Sequence, residues 1–212
     1  SHPSHPSHPS HPSHPSHPLA SGFTAGTNFA YISGSPFVFI ELHGVSAQHF
    51  GVFFGANAFG LIAASQLNRV LLRRFAPEAI LPWALSVTMG AGLALAICGA
   101  TGWGGFPAIP ILLFVCLSSV GMAFPNLAAA GLAPYARAAG SASALLGSSH
   151  FILGGLAGAL VGLLHNGTAI PMTATVAVYA ACALLSLKTL CVHARRAPAE
   201  EEEELLLVSE TE

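Results

Sequence analysis

Residues 108–133 read AIPILLFVCLSSVGMAFPNLAAAGLA, 26 successive positions without a charged side chain. A helix rises ~1.5 Å per residue and a bilayer's hydrocarbon core is ~30 Å thick, so this run is long enough to cross it. It is too long for a strand and lacks apolar–polar alternation, with Ile111 to Val115 apolar throughout. A Gly- and Trp-bearing turn, Thr101 to Pro107, precedes it, and Pro134 to Ala139 follow. The same pattern of long apolar run and short turn extends in both directions.

Over the 212 residues, 53% are hydrophobic and 8% are charged, against roughly 25% charged in soluble domains. Nine of the charged side chains lie beyond His193: Arg195, Arg196, Glu200 to Glu204, Glu210 and Glu212. Asp is absent, and residues 19–192 hold only seven charges. The composition excludes a soluble enzyme and a disulfide scaffold. There is no basic patch, so nucleic acid is not an expected partner. Cys98, Cys116, Cys182 and Cys191 sit in apolar runs without a C-x-x-C pair and read as small packing residues. The class is an all-α integral membrane protein whose main partner is the lipid bilayer.

Turn signals cut the apolar stretch 19–192 into six spans, at about 19–41, 47–68, 78–100, 108–133, 140–164 and 168–191. Ser46 is placed to cap the second. Ahead of them, residues 1–18 are six copies of Ser-His-Pro. Proline at every third position removes backbone donors and fixes φ, so this segment is expected to be disordered. Its histidines would line one edge of a polyproline II helix and could bind Zn²⁺, Ni²⁺ or Cu²⁺ weakly, or the segment is simply a solvated leader. Residues 193–212 read as a solvated acidic tail.

Basic residues set the expected orientation. Arg69, Arg73 and Arg74 follow span two, Arg137 follows span four, and Lys188, Arg195 and Arg196 end span six. The loops after spans one, three and five have no Lys or Arg. By the positive-inside rule the basic side and both termini are cytoplasmic.

Polar groups inside a membrane face protein or a watery cavity, because an unpaired one costs several kcal/mol in hydrocarbon. Asn28 and Tyr31 fall near the middle of span one, Asn57 of span two and His150 of span five, with Asn126 nearer the cytoplasmic end of span four. These residues either line a substrate cavity or join helices by hydrogen bonds worth roughly 1 kcal/mol each. Phe37 and Phe53 add aromatic surface. No Asp, Glu, Lys or Arg lies at mid-depth, so no coupling carboxylate is expected on this chain. Ser35-Pro36 and Pro125 are expected to bend spans one and four. Gly51/Gly55 in span two and Gly154/Gly158/Gly162 in span five have the G-x-x-x-G spacing of close helix packing.

The run Phe29-Ala-Tyr-Ile-Ser-Gly-Ser-Pro-Phe-Val38 resembles the seventh helix of the Bcr/CflA subfamily of major facilitator drug transporters. Four further stretches resemble the family in order. They are Gly44 to Gly51 at the entry to helix eight, and Gly60 to Arg74 at the basic loop between helices eight and nine. Gly121 to Gly131 resembles helix ten, and Ala139 to Ala144 the start of helix eleven. The resemblance covers about residues 20–190.

It implies spans seven to twelve of a twelve-helix fold. It also implies proton-driven export of drugs and small metabolites from the bacterial inner membrane by alternating access, without a cofactor. Members export bicyclomycin, chloramphenicol and sulfonamides. Asn68, Arg69, Arg73 and Arg74 would form the cytoplasmic gate, with Asn68 standing where the family motif usually has Asp. A twelve-helix transporter needs both halves, so coupled transport of a hydrophobic small molecule requires a separate first half or a second copy. The alternatives are a non-transporting helix-bundle interaction protein and a truncated gene product.

Overall fold

The computed structural model describes residues 16–209. Six α-helices follow one another: α1 Ser16–Pro36, α2 Ala47–Leu71, α3 Pro77–Thr101, α4 Gly105–Leu132, α5 Ala139–Leu163 and α6 Ile170–Ser209. A π-helical segment, Phe37–Leu42, continues α1, and a 3-10 segment, Ala133–Ala138, joins α4 to α5. No strand occurs among the described residues.

Each boundary has a local cause. Ser46 precedes α2 in extended geometry, and its hydroxyl accepts from the His49 N–H. Pro77 opens α3, where its missing N–H costs nothing. Gly102 ends α3 at φ +70°, a left-handed conformation open to glycine without steric cost, and its N–H caps the Cys98 carbonyl. The last Ser-His-Pro copy belongs to α1, with Pro18 in the first turn, where helices tolerate proline. Residues 16–18 of the segment foreseen as disordered are thus helical, and the rest of the repeat lies outside the described residues. At the other end α6 carries helix through the Glu run to Ser209. The side chains of that tail lie outside the described ones.

Both prolines expected to bend their helices lie within helix. α1 is not broken at Ser35-Pro36. It passes after Pro36 into the wider π-helical turn, which accommodates the hydrogen bond the proline cannot donate. Pro125 lies inside an uninterrupted α4.

Five helices are long and apolar enough to cross a membrane: α2, α3, α4, α5 and residues Ile170–Thr189 of α6. Six spans were expected, and α1 falls short on apolarity because it carries Ser21, Thr24, Thr27, Asn28, Ser33 and Ser35. Packing accounts for this. α1 lies against α4, α5 and α6, so Ser21, Thr24, Thr27 and Ser35 are buried in protein and not in lipid. Thr24 and Thr27 return their hydroxyl protons to the Ala20 and Phe23 carbonyls, at 2.7 and 3.2 Å.

α4 is the second hub, packed against α1, α2 and α3, while α3 also meets α6. The core divides into two clusters. One, around Ile80, Leu81, Leu85, Leu127 and Leu184, lies toward the end bearing the arginine turn 72–76. The other, around Phe39, Leu95, Ile109, Leu113 and Met172, lies toward the turns that lack basic residues. Phe39, Phe53 and Phe106 form its aromatic centre, with ring centroids 5.3 to 5.9 Å apart. The described cysteines Cys98, Cys116 and Cys182 are free thiols.

Candidate functional site

Two adjoining cavities open between α1, α2, α4 and α5. The larger, about 350 Å³, is walled by Phe29, Leu61, Val120, Phe124 and Phe151, with polar groups from Asn28, Ser65 and His150. The smaller, about 210 Å³, lies against Tyr31, Phe54, Asn57, Ile62 and Leu117. Asn28 and Leu61 border both, so the two lie side by side as a two-part recess along α1.

The helical repeat assembles the recess. Ser21, Ala25, Asn28 and Tyr31 follow at spacings of three or four on one face of α1. Phe54, Asn57 and Leu61 do the same on α2. Asn57 donates from Nδ2 to the Tyr31 hydroxyl at 3.1 Å, and the Tyr31 ring stacks on Phe54 at 5.7 Å and 20°. The Tyr31 and Asn57 side chains are therefore spoken for, joining α1 to α2 while they wall the recess. Across it, His150 Nε2 lies 2.8 Å from Ser21 Oγ, and its ring is 4.8 Å from that of Phe124. Asn28 makes no hydrogen bond to any described residue and is half-buried at the junction. What the recess can do is hold an apolar, partly aromatic molecule and offer it a few hydrogen bonds.

Three residues expected at the cavity lie elsewhere. Asn126 is buried in a reciprocal amide pair with Asn68 and does not open on the recess. Phe37 belongs to a separate cavity of about 280 Å³ with Ser33, Gly158 and Met172, where its ring meets His165 edge-on at 4.3 Å. Nine residues after Asn28 is half a turn round a helix, so Phe37 stands on the opposite face, with Ser33. Phe53 is packed into the aromatic core against Phe39 and Phe106.

The gate residues also divide. Asn68 is buried inside α2 and Arg69 lies in its last turn, exposed and hydrogen-bonded to Gln66. Arg73 and Arg74 are exposed in the turn that follows. Asn68 thus ties helices together, because its amide points into the bundle and away from the loop.

The glycine strips are half engaged. Gly154 and Gly158 receive Phe29 and Ser33 of α1, whereas Gly51, Gly55 and Gly162 have nothing of this chain within 4 Å. The close approach on α2 comes instead opposite Gly121 of α4, where a Cβ would run into the Leu61 backbone. Sequence reasoning missed Gly121 in that role, and it missed Ser21, Phe54 and Phe124. A signal existed for two of them. Ser21 lies seven residues, two helical turns, before Asn28, and Phe54 lies three before Asn57.

The helical bundle, its apolar spans and a recess with isolated polar groups define a multi-pass membrane protein with a small-molecule-sized cavity. No family model matches the chain. Its sequence is related to transporters of the major facilitator type. It is 32% identical over 171 residues to the uncharacterized MFS-type transporter YdgK of Bacillus subtilis, covering 76% of this chain and 40% of that protein. It is 32% identical over 169 residues to the bicyclomycin resistance protein homolog of Haemophilus influenzae, covering 79% of this chain and 41% of that protein. The chain thus spans about two fifths of the length of these relatives.

Proposed function

We propose that this chain acts as the second, six-helix half of a drug exporter of the Bcr/CflA kind, in a bacterial inner membrane. Compounds with apolar bodies are held in the α1–α2–α4–α5 recess and exported by alternating access in exchange for protons. The observation that carries the reading is the recess itself: two adjoining cavities, one walled by Tyr31 and Asn57 and the other by His150, share Asn28 in a chain related to transporters. Arg69, Arg73 and Arg74 lie at the cytoplasmic end and meet the partner half when the gate closes there. Both termini lie on that side.

A partner bundle is needed because rocking requires two bundles. Gly51 and Gly55 of α2 and Gly155 and Gly162 of α5 have open space where a Cβ would stand. Such strips suit close approach by other helices, from a separately supplied first half or a second copy.

The test is accumulation of bicyclomycin in cells that co-express this chain with the first half of the Haemophilus influenzae relative. Lower accumulation than with either half alone supports the reading. Equal accumulation, with both halves in the membrane, overturns it. The open glycines also suit a non-transporting interaction protein, and a stable pair with unchanged accumulation would favour that second reading.

A further inference from the structure

Among the residues that wall the larger cavity, His150 is the one titratable side chain, and no Asp, Glu, Lys or Arg joins it. Among the described residues, the elements around it bring no counter-charge. α1 offers Ser21, which is fully buried, and the Tyr31 hydroxyl, which Asn57 engages. α4 offers the Phe124 ring, and its Cys116 lies against the Thr88 carbonyl of α3. On α6, Tyr179 packs its ring edge-on against Phe23. The 133–138 segment holds Tyr135, exposed at the surface, and Arg137. Arg137 precedes the first residue of α5, which is itself ~16 Å along the axis from His150.

Ser21 occupies Nε2, so the second ring nitrogen, Nδ1, makes no hydrogen bond to the described protein. Imidazole titrates near neutral pH, and its cation needs a partner in a low-dielectric site. Among the described residues none supplies that partner, and an anionic ligand can.

We propose that this cavity is a subsite for weak organic acids with a flat apolar body, and that His150 takes up a proton from the solvent as the acid's anion binds. The inference rests on the cavity being the place where the transported compound binds. The carboxylate arrives ionised, an O–H bond of hydronium breaks to leave water, and an N–H bond forms at Nδ1, so anion and proton together add no net charge to the cavity. The Nε2 proton is then donated to Ser21 Oγ. Asn28, unengaged on the same wall, has an amide N–H for the carboxylate, and Phe29, Phe124 and Phe151 cover the flat body. A cationic ligand finds no carboxylate on this wall.

The test uses the full chain in lipid nanodiscs and three probes of one shape: 2-naphthoate, 2-naphthamide and 2-naphthylmethylammonium. Binding is followed calorimetrically at pH 6 and pH 8, with empty nanodiscs subtracted. Naphthoate should bind at least tenfold tighter than the other two at pH 6. Its binding should take up one proton and therefore weaken at least tenfold by pH 8. His150→Gln should bring the naphthoate and naphthamide affinities within twofold of each other.

Equal or tighter binding of the ammonium probe, or an acid preference that survives in His150→Gln, overturns the proposal. Should the variant fail to fold, the charge series and proton uptake of the unaltered chain decide alone. Failure of all three probes to bind overturns both this inference and the cavity reading beneath it. Binding without acid preference overturns this inference only.

Discussion

Asn68 on α2 and Asn126 on α4 exchange two hydrogen bonds, Nδ2 of each donating to Oδ1 of the other, at 3.2 and 2.9 Å. Both side chains are buried, and Asn126 Nδ2 also reaches the Met122 carbonyl at 3.2 Å. Two amides that satisfy each other can be buried where a lone one would be penalised. The pair fastens α2 to α4 just inside the arginine turn.

Replacing either member leaves the other amide unpaired. Asn68→Ala or Asn126→Ala should each destabilise the bundle by about 1–3 kcal/mol. The double variant should lose less than the sum, with a coupling of about 1 kcal/mol in thermal unfolding of the detergent-solubilised chain. Strictly additive losses would show that the pair does not act as a unit.

A few turns further along the same two helices, Gly121 passes the backbone of Leu61 so closely that no Cβ fits. Backbone cannot yield as a flexible side chain can, so Gly121→Ala should push α2 from α4 and cost about 1–3 kcal/mol. Gly51→Ala and Gly55→Ala face open space and should be neutral, or slightly stabilising through helix propensity of up to ~1 kcal/mol. Unfolding temperatures of the three variants, measured side by side, check the contrast.

Tyr31→Phe removes the oxygen that accepts from Asn57 Nδ2 but keeps the ring stacked on Phe54. The orphaned amide should cost about 1–2 kcal/mol. Asn57→Leu in the same chain should recover part of it, because the unsatisfied donor is then gone. A loss that Asn57→Leu leaves unchanged would mean the hydroxyl acts elsewhere.

Cys116 is fully buried in the core between α3 and α4, with Sγ facing the Thr88 carbonyl. A maleimide should modify it only once the bundle unfolds, whereas the half-buried Cys182 should react earlier. Mass spectrometry after limited labelling reads the order directly.

The sequence makes some of this legible and hides the rest for physical reasons. Long uncharged runs can satisfy their backbone in lipid only as helices, so five apolar spans follow from hydropathy. α1 is harder to read because its polarity is tolerated by neighbours that the sequence does not display. Asn28, Tyr31, Asn57 and His150 stand out as polar residues at mid-span, and they wall two adjoining cavities. Asn126 stands out equally, yet its partner is Asn68, 58 positions away on another helix. Composition cannot tell a cavity amide from a paired one. Phe37 was readable: nine residues after Asn28 is half a turn round a helix, which places it on the other face. The G-x-x-x-G spacing of Gly51 and Gly55 marks where a helix can approach, but whether one does depends on which chain is near.

Everything proposed about gate and cavity depends on six crossings with the arginine turn inside the cell. Single cysteines at Gln48, Arg74 and Trp103, in a chain whose own four cysteines are alanine, report this in intact cells through an impermeant maleimide. Gln48→Cys and Trp103→Cys should label from outside, and Arg74→Cys only after the membrane is opened. Labelling of Arg74→Cys in sealed cells, or protection of Gln48→Cys there, would contradict the account.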